Sequence, residues 1–473
     1  MSLRDNLRKA YNYMKKNGFR DTLYASVERL GEDSKRYVYR DISEAEKEKQ
    51  REARFDIRTR FSIVVPAYET NEIFLRAMIR SVLDQTYPTF ELIIADASST
   101  NKVEQVVRSF EDERLTYIRN TENKGISGNT NVGIKVASGQ YIGLLDHDDL
   151  LTPNALYEIA RKIEEAKKDG VKYSFIYTDE DKCDTYGENF YEPNRKPEFN
   201  LDLLLSNNYI CHFMVMDANL MKKLGLRSEF DGAQDHDLVL RAYRVSDRPI
   251  GHVAKVLYHW RCHEDSTALN PESKRYAYEA GKRAVAEFLK DWHVNGAVVD
   301  TKHNGFFRII YGAINGTGGE INAGDKMTGV EDIFKCRFDI GIVGGPLVKR
   351  GRITGGLIDE TKTCPLEGAN INFSGYMHRN SLQVDAKAVD IRFMFIRKEL
   401  IPAVTEVTKK REYQEIFIRD LTNTEKSCID MRDHIDVKGI DEMIIQNLSY
   451  DICVRCELEG YRILYDPYLE ELL

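Results

Sequence analysis

The sequence contains few cysteines and no long apolar run. Eight cysteines in 473 residues are sparse, and their spacing suggests no disulfide framework of the kind that small secreted domains need. No apolar stretch approaches the roughly 18 residues that a helix needs to span a bilayer. The first residues lack the apolar core of a secretory signal. These absences predict a reduced, cytoplasmic protein without an integral membrane segment.

The chain also lacks an excess of positive charge. Lys and Arg together number 68 against 76 Asp and Glu, which gives a formal net charge of −8. This balance does not supply the basic surface of a general nucleic-acid binder, so we expect no nucleic-acid partner. Hydrophobic residues make up 42% of the chain, which is too many for a disordered protein. At about 150 residues per domain, the length allows two or three folded domains.

Composition and patterning divide the chain into four segments. Residues 1–57 are rich in charge and carry apolar residues at helical spacing, which predicts an N-terminal helical segment. An amphipathic helix of this kind packs either on its own domain or on an anionic membrane surface, and the sequence leaves both open. Residues 306–330 contain many glycines and little apolar content, as a linker does. This linker separates a domain at 58–305 from a second folded unit at 331–473.

The domain at 58–305 alternates apolar runs with stretches of helical periodicity. The run FSIVVPAY is followed by a helical pattern, and similar pairs continue to about residue 150. This alternation predicts an α/β fold with a mostly parallel sheet. Ligands of such sheets bind outside the carboxyl ends of the strands. Three polar clusters are expected there, at 66–69, 96–98 and 146–149.

The strongest chemical signal is the sequence LLDHDDLL at the end of the fourth predicted strand. Asp146 and Asp148 lie two residues apart, so both carboxylates point to the same side. Hard oxygen ligands at an open site suit Mg²⁺ or Mn²⁺. The alternative is helix capping by Asp149 or Thr152 before a helix that starts at Pro153. Capping leaves the other acids unexplained, so we predict a metal site at Asp146 and Asp148.

A second acidic cluster lies in the sequence DGAQDHDLVLR, where a helix is predicted to begin near Leu238. We expect Asp237 to cap this helix, which leaves Asp235 free to face the site as a general base. The alternative is that Asp235 only stabilises the helix start by its charge. The sequence therefore offers one candidate base in addition to the predicted metal site.

Further polar residues end or follow other predicted strands. In VLYHWRCH, His259, Arg261 and His263 alternate, so we expect them on one face that could bind a metal–diphosphate, unless one histidine belongs to the core. Asp96 could accept a hydrogen bond from a nucleobase N–H or only form a turn. Lys124, in a Gly-rich loop, could meet a phosphate or only be solvated, and its segment matches no phosphate-binding motif.

The C-terminal region contains an echo of the first domain. The sequence at 392–401 resembles that at 212–221, and 448–457 resembles 234–243, in the same order. The second copy has Ser449 opposite Asp235, so it lacks this acid. Its single C-x-x-C pair lies in a helical pattern without a second pair, which favours a structural role for both cysteines.

Taken in order, these motifs resemble family 2 glycosyltransferases with the GT-A fold over about residues 60–300. The motifs are VVPAYE, IIADASST, NKGIS…N, LLDHDD, QDHDLVLR and YHWRCH. The stretch EPNRKPEFNLDLLLSNNYICHF resembles the subset that builds bacterial surface polysaccharides of the rhamnan and O-antigen type. The resemblance implies a Mn²⁺- or Mg²⁺-dependent, inverting transfer of a sugar. The donor would be a nucleotide-diphosphate sugar, and the acceptor a glycan or a lipid-linked molecule.

The resemblance also implies a role for each matching residue. Asp235 would be the catalytic base, and Asp148 would be a more direct metal ligand than Asp146. The remaining residues would contact the donor. Those along the nucleotide would be Pro66, Tyr68 and Glu69, and the one that holds the base would be Asp96. Those near the base and the ribose would be Lys124 and Asn131, and those at the diphosphate or the metal would be Arg261 and His263. This chain departs from the family pattern at Ala97, at Asn129-Thr130-Asn131 and at Gln234.

The C-terminal unit resembles the acceptor-side half of a second such domain without its DxD segment. We therefore predict that it has no transferase activity, and that it binds acceptor glycan, forms an oligomer interface or stabilises the first domain. Cys211 and His212 fall on the acceptor side by position. Two other classes stay open, a non-catalytic glycan-binding scaffold and a haloacid-dehalogenase-type phosphatase, whose nucleophile motif is also D-x-D after a strand. Peripheral contact with the inner membrane face and homo-oligomerisation are open as well.

Overall fold

The structure is a computed structural model of the whole chain. It describes residue 14, residues 37–263, 275–312, 326–419, residue 421, and residues 427–469 and 471–472. Most of the predicted N-terminal helix and part of the predicted linker lie outside these residues. Within the described part of the chain, none of the helices combines the length and the apolar character that crossing a bilayer requires.

The helices of the described residues are short to medium in length. In chain order they are α1 (Glu44–Glu52), α2 (Glu72–Leu83), α3 (Lys102–Arg108), α4 (Gly125–Val136), α5 (Ala155–Lys168), α6 (Leu201–Ser206), α7 (Ala218–Leu224), α8 (Gln234–Val245), α9 (Arg275–Asp291), α10 (Lys326–Cys336), α11 (Ile401–Thr408) and α12 (Glu442–Leu458).

The strands fall into one large sheet and several smaller ones. In chain order they are β1 (Phe61–Ala67), β2 (Phe90–Asp96), β3 (Leu115–Arg119), β4 (Tyr141–Leu144), β5 (Leu150–Leu151), β6 (Phe175–Cys183), β7 (Phe190–Asn194), β8 (Met214–Asp217), β9 (Gly251–Arg261), β10 (Gly296–Asp300), β11 (Phe307–Tyr311), β12 (Ile340–Gly344), β13 (Leu347–Lys349), β14 (Arg352–Gly355), β15 (Leu357–Ile358), β16 (Val384–Asp385), β17 (Ala388–Val389), β18 (Met394–Arg397), β19 (Phe417–Ile418), β20 (Cys428–Asp430), β21 (Ile435–Asp436), β22 (Arg462–Tyr465) and β23 (Glu471–Leu472).

Contacts divide the described chain into two compact units. The N-terminal unit contains residues 36–199 and 208–288, and the C-terminal unit contains residues 200–207 and 289–473. The contact boundary therefore falls before the predicted linker, since residues 289–312 belong to the C-terminal unit. The domain limits predicted from the sequence stay a prediction.

The N-terminal unit is built on one mixed sheet in the order β3-β2-β1-β4-β8-β6-β9-β5, with β7 paired to β6. Strands β3, β2, β1 and β4 are parallel neighbours, β8 is antiparallel to β4 and β6, and β9 runs parallel to β6. The predicted α/β class with a mostly parallel sheet is confirmed. The carboxyl ends of β1, β2 and β4 meet at one edge, where the polar clusters were expected.

Local sequence explains why the central elements form. Strand β1 is almost continuously apolar because both faces of the sheet are covered, and all but one of its residues are buried. Helix α2 begins after Asn71, whose side chain accepts a hydrogen bond from the N–H of Ile73. Its buried residues recur at helical spacing, which turns one face onto the core: Leu75, Met78, Ile79 and Val82.

The C-terminal unit repeats part of this topology. Its five-stranded sheet has the order β16-β22-β12-β18-β20, with β12 antiparallel to β18 and parallel to β22. Strand β6 has the same relation to β8 and β9 in the N-terminal unit. In both units two helices lie between the second and third of these strands along the chain. A second, smaller α/β unit is therefore present, as the internal repeat in the sequence predicted.

Ser449, which matches Asp235 in the sequence of the second copy, is buried. Helix α12 begins at Glu442, so Ser449 lies inside the helix, whereas Asp235 lies in the first turn of α8. The Ser449 side chain is fully buried, donates to the carbonyl of Ile445 and accepts from the N–H of Ile391. This serine is part of the core, and the absence of transferase activity in the second copy stays a prediction.

All eight cysteines are free thiols in the structure. Cys453 and Cys456 lie on α12 and are fully buried. Burial raises the pKa of both thiols, which disfavours the thiolate form that metals and electrophiles require. The structural interpretation of the C-x-x-C pair therefore agrees with its surroundings.

Candidate active site

The predicted metal pair lies just beyond the carboxyl end of β4. The Asp146 side chain is 42% exposed and that of Asp148 is 22% exposed, so both carboxylates reach solvent. The Asp148 carboxylate lies 3.0 Å from Nε2 of His263. The structure thus brings together two of the three residues predicted to hold a metal, although they are far apart in the sequence.

The third acid of this cluster, Asp149, turns inward. Its carboxylate accepts hydrogen bonds from the Tyr258 hydroxyl and from the N–H of Arg261, the latter at 2.7 Å. Burial raises its pKa well above the usual range, and the charges of Asp148 and Asp146 add to the effect. The capping alternative is wrong, because α5 begins after Asn154 without a side-chain cap and Asp149 bonds to β9 instead.

A histidine that the sequence analysis assigned only to the acceptor side joins the acids. Nε2 of His212 lies 3.9 Å from the Asp146 carboxylate, and its ring stacks on Tyr258 at 4.7 Å between centroids. One donor atom each from Asp146, Asp149 and His212 lie within 4.8 Å of one another. His212 precedes β8, which pairs with β4, and this sheet order carries it to the DxD segment.

The charges of the cluster fit a divalent cation. Although part of the Asp146 side chain reaches solvent, the surrounding protein desolvates its carboxylate, and this desolvation raises its pKa. The charges of Asp148 and Asp235 add to the rise, while His212 opposes it. Neighbouring carboxylates that repel one another are relieved by a cation between them. Carboxylate oxygens together with imidazole nitrogens form a donor set that Mn²⁺ accepts, and Mg²⁺ takes the oxygens. The residues present therefore fit the metal that the sequence predicted.

The predicted base faces the same cluster. Asp235 lies half-buried in the first turn of α8, close enough to Asp146 to raise its pKa. The Asp235 carboxylate accepts a hydrogen bond of 2.7 Å from Nδ2 of Asn208. The structure thus brings the candidate base and the DxD pair to one place.

The prediction that Asp237 caps α8 is wrong. Ala233 occupies the cap position and offers no side-chain bond. Asp237 is buried one turn into the helix and pairs with the guanidinium groups of Arg227 and Arg241. Two arginines within reach hold this carboxylate more strongly than a free N–H would, because both donors are charged.

The prediction that His259, Arg261 and His263 share one strand face is also wrong. Strand β9 ends at Arg261, so His263 lies beyond it and turns to Asp148. His259 is buried against Asp181. The buried Arg261 guanidinium donates to the carbonyls of Asp148 and Thr185, at 2.6 and 2.7 Å. It fixes the main chain of the DxD turn, a role that no local signal in the sequence indicates.

The polar edge after β2 surrounds Asp96. This side chain is fully buried, and one carboxylate oxygen accepts from the N–H of Ser98 at 2.9 Å. The other oxygen accepts from the Tyr117 hydroxyl at 2.7 Å and from Arg119 at 3.2 Å. The turn-forming alternative for Asp96 is therefore present in the structure, and a role at the nucleobase stays a prediction.

The segment after β1 lies against the same edge. Glu69 has a φ of +46°, and its carboxylate accepts from the N–H and the hydroxyl of Ser99, both at 2.7 Å. These hydrogen bonds lower the pKa of Glu69. Pro66 is half-buried, and Tyr68 is 52% exposed. An exposed aromatic ring at the carboxyl edge of a parallel sheet is available for a planar ligand.

The two residues predicted to contact the donor in and just before α4 differ in their surroundings. Asn131 is engaged with the main chain of Leu226, donating to its carbonyl at 2.8 Å and accepting from its N–H at 2.9 Å. This pairing gives Asn131 a structural function in fixing α4. Lys124 precedes α4, is 61% exposed and lies 3.7 Å from Glu122. Its ammonium group is available to an anion.

Comparison with known proteins finds similarity for the segment that carries the DxD pair. The family model "Glycosyl transferase family 2" matches residues 62–225. The chain is 44% identical over 233 residues to the uncharacterized protein y4gI of Sinorhizobium fredii, which is 48% of this chain and 25% of that protein. It is 34% identical over 241 residues to the O-antigen biosynthesis protein RfbC of Myxococcus xanthus, 50% of this chain and 18% of that protein.

A third relative is shorter. The UDP-Glc:alpha-D-GlcNAc-diphosphoundecaprenol beta-1,3-glucosyltransferase WfaP of Escherichia coli is 32% identical over 166 residues, 34% of this chain and 62% of that protein. The chain thus spans a quarter or less of the first two relatives and less than two thirds of the third. The matched segment contains β1 to β4 and the DxD pair. Residues 62–225 are therefore similar to the glycosyl transferases of family 2.

Proposed function

We propose that the protein is a metal-dependent, inverting glycosyltransferase. It would move a sugar from a nucleotide-diphosphate donor to a glycan or lipid-linked acceptor in cell-surface polysaccharide synthesis. The observation that carries this proposal is the convergence of the DxD pair, two histidines and Asp235 at the carboxyl edge of the large sheet. The family match of residues 62–225 and the similarity to the glucosyltransferase WfaP support the class of reaction, and the similarity to RfbC supports polysaccharide synthesis.

The metal would be held by residues that this chain already groups together. Asp146 and His212 offer a carboxylate oxygen and an imidazole nitrogen within 4.8 Å of each other, and Asp148 and His263 form a second such pair at 3.0 Å. A bound Mn²⁺ or Mg²⁺ supplies positive charge that stabilises the departing diphosphate. Arg261 contributes by holding the carbonyl of Asp148, which keeps the turn that presents these carboxylates in place.

Asp235 would act on the acceptor. Its carboxylate takes the proton of the acceptor hydroxyl while that oxygen forms a bond to the anomeric carbon. The bond from the anomeric carbon to the diphosphate oxygen breaks on the opposite face, and its electron pair leaves with the nucleoside diphosphate. A single displacement of this kind inverts the configuration of the anomeric carbon. The exposed Tyr68, Glu69 and Lys124 would contact the donor nucleotide together with Pro66, with Asp96 at the base and Asn131 near the ribose.

The cellular setting is part of the same proposal. The name of WfaP specifies a diphosphoundecaprenol-linked acceptor, and that of RfbC specifies O-antigen biosynthesis. A cytoplasmic enzyme that meets such an acceptor works at the inner face of the membrane, so we include peripheral association in the proposal. The C-terminal unit, whose copy of the base is Ser449, would serve the acceptor, an oligomer interface or stability rather than catalysis.

The donor site is tested first by thermal unfolding with a panel of nucleoside diphosphates, each with and without Mn²⁺. We expect one nucleotide to raise the melting temperature, and only when Mn²⁺ is present, because the metal would hold its diphosphate. A ligand at 100 times its Kd adds about 2.7 kcal/mol to the stability of the folded state. Asp148→Ala should abolish the shift. Asp247→Ala, which removes an exposed acid after α8, should keep it. A flat panel at millimolar nucleotide would contradict the donor site and favour a non-catalytic scaffold.

The base is tested by turnover. We expect Asp235→Asn to bind donor and Mn²⁺ as the wild type does and to lower kcat by about 10² to 10⁴, the usual contribution of a positioned base. The product's anomeric configuration, read by NMR, checks inversion. Wild-type turnover in Asp235→Asn would show that another group removes the proton.

A further inference from the structure

The candidate base has a hydrogen-bond partner in the segment between α6 and β8. Asn208 lies before β8 and donates a hydrogen bond of 2.7 Å from Nδ2 to Oδ2 of Asp235. Both residues are half-buried, so water competes less for this bond than on an open surface. A bond from an amide N–H to an ionised carboxylate is stronger than one between neutral groups.

The orientation of the Asn208 amide is set by a second bond. Its Oδ1 accepts from the N–H of Cys211 at 3.3 Å, which closes the turn at 208–211. Because the carbonyl oxygen of the amide is engaged by a donor, the NH₂ group must face Asp235. The side chain can therefore only donate to the carboxylate.

The turn itself is anchored from β6 and the segment after β7. The Lys196 side chain is fully buried, pairs with Glu180 at 3.2 Å and donates to the carbonyl of Ile210 at 2.6 Å. Glu180 in turn accepts from the N–H of His212 at 3.2 Å. A buried ion pair thus holds the main chain at the carboxyl-terminal end of this turn, at Ile210 and His212, and this supports the position of Asn208.

We propose that Asn208 is a positioning residue for Asp235, an inference that rests on the proposed function. The amide holds Oδ2 of Asp235 and leaves Oδ1 to take the proton of the acceptor hydroxyl. Without this bond the carboxylate rotates about its side-chain torsions, and the oxygen spends less time where the hydroxyl must lie. Misplacement of a reacting group by about 1 Å can cost about 10²-fold in rate.

Two variants separate positioning from folding. Asn208→Ala removes both bonds, whereas Asn208→Asp keeps an oxygen that accepts from Cys211 and places a second carboxylate against Asp235. We expect both to lower kcat by about 10- to 100-fold. The KM for the donor should stay within about twofold of the wild-type value. The thermal shift with nucleotide and Mn²⁺ should equal that of the wild type. A rise in donor KM with unchanged kcat would overturn the inference.

A double-variant cycle tests whether Asn208 acts through Asp235. Adding Asn208→Ala to Asp235→Asn should change kcat by less than about twofold, because the carboxylate that the amide positions is already gone. An equal loss in both backgrounds would show that Asn208 acts elsewhere and would overturn the inference. If Asp235→Asn slows turnover and Asn208→Ala does not, only this inference fails. If Asp235→Asn keeps wild-type turnover, the proposed base fails, and the role of Asn208 fails with it.

Discussion

Arg337 is the most consequential buried charge of the C-terminal unit. Its side chain is fully buried, and the guanidinium donates to both carboxylate oxygens of Asp202, at 2.7 and 3.1 Å. It also donates to the Tyr311 hydroxyl at 2.7 Å and to Asp339 at 2.8 Å, and it lies over the Trp292 ring at 4.7 Å. Asp202 is fully buried as well, so its charge depends on these partners.

We expect Arg337→Met to lower the free energy of unfolding by about 3 kcal/mol or more. Removing one partner of a buried ion pair typically costs about 3–5 kcal/mol, because the other charge stays buried without compensation. Arg462, which lies 3.0 Å from Asp202, keeps the expected loss at the lower end of this range. Arg108→Met is the matched control, since Arg108 forms an exposed helical pair with Glu104 and should cost about 0.5 kcal/mol or less.

The assay is urea unfolding followed by tryptophan fluorescence. The chain has two tryptophans, so Trp260→Phe makes Trp292, under the Arg337 guanidinium, the only reporter. In this background Asp202→Asn combined with Arg337→Met should recover part of the loss, because no unpaired charge remains. A loss below about 1 kcal/mol in Arg337→Met alone would contradict the expected cost of leaving the Asp202 charge buried without Arg337.

Two further predictions concern stability. Burial and the charge of Asp202 raise the pKa of Asp385 to about 7, so the folded state keeps a proton that the unfolded state releases near pH 4. The free energy of unfolding should therefore fall by at most about 1.4 kcal/mol per unit as pH rises from 4 to 7, and Asp385→Asn should flatten this slope in urea titrations. Gly125→Ala should cost more than Gly170→Ala by urea unfolding, although both positions have φ near +70°. A Cβ at residue 125 would collide with the Asp231 carboxylate, whereas a Cβ at residue 170 would meet no atom within 4 Å. Equal losses would show that the positive φ alone determines the cost of adding a side chain at these positions.

Local patterns predicted most of the elements around the site. The strands β1, β2 and β4 are short apolar runs with polar ends, and α2 has a clear helical spacing of apolar residues. These signals depend on neighbours in the sequence, so they can be read without the fold. The position of Asp146 and Asp148 at a strand end follows from the same signals.

Predictions about individual side-chain partners were less successful. Asp237 was expected at a helix cap and pairs with two arginines, and Arg261 was expected at a ligand and holds main-chain carbonyls. The number of charged groups within reach of a side chain decides such pairings. That number depends on segments that the sequence pattern does not bring together.

The α/β class and the acids at the end of β4 could be predicted from the sequence, because each depends on residues close together in the chain. The internal repeat could be predicted as well, because similar segments can be aligned without knowledge of the fold. Only the tertiary structure decided which residues join those acids. Strand β8 is inserted between β4 and β6, and this pairing carries His212 to Asp146 and Asn208 to Asp235. The order of strands in a sheet is set by packing of the whole core, and no local pattern around residues 208–212 specifies it.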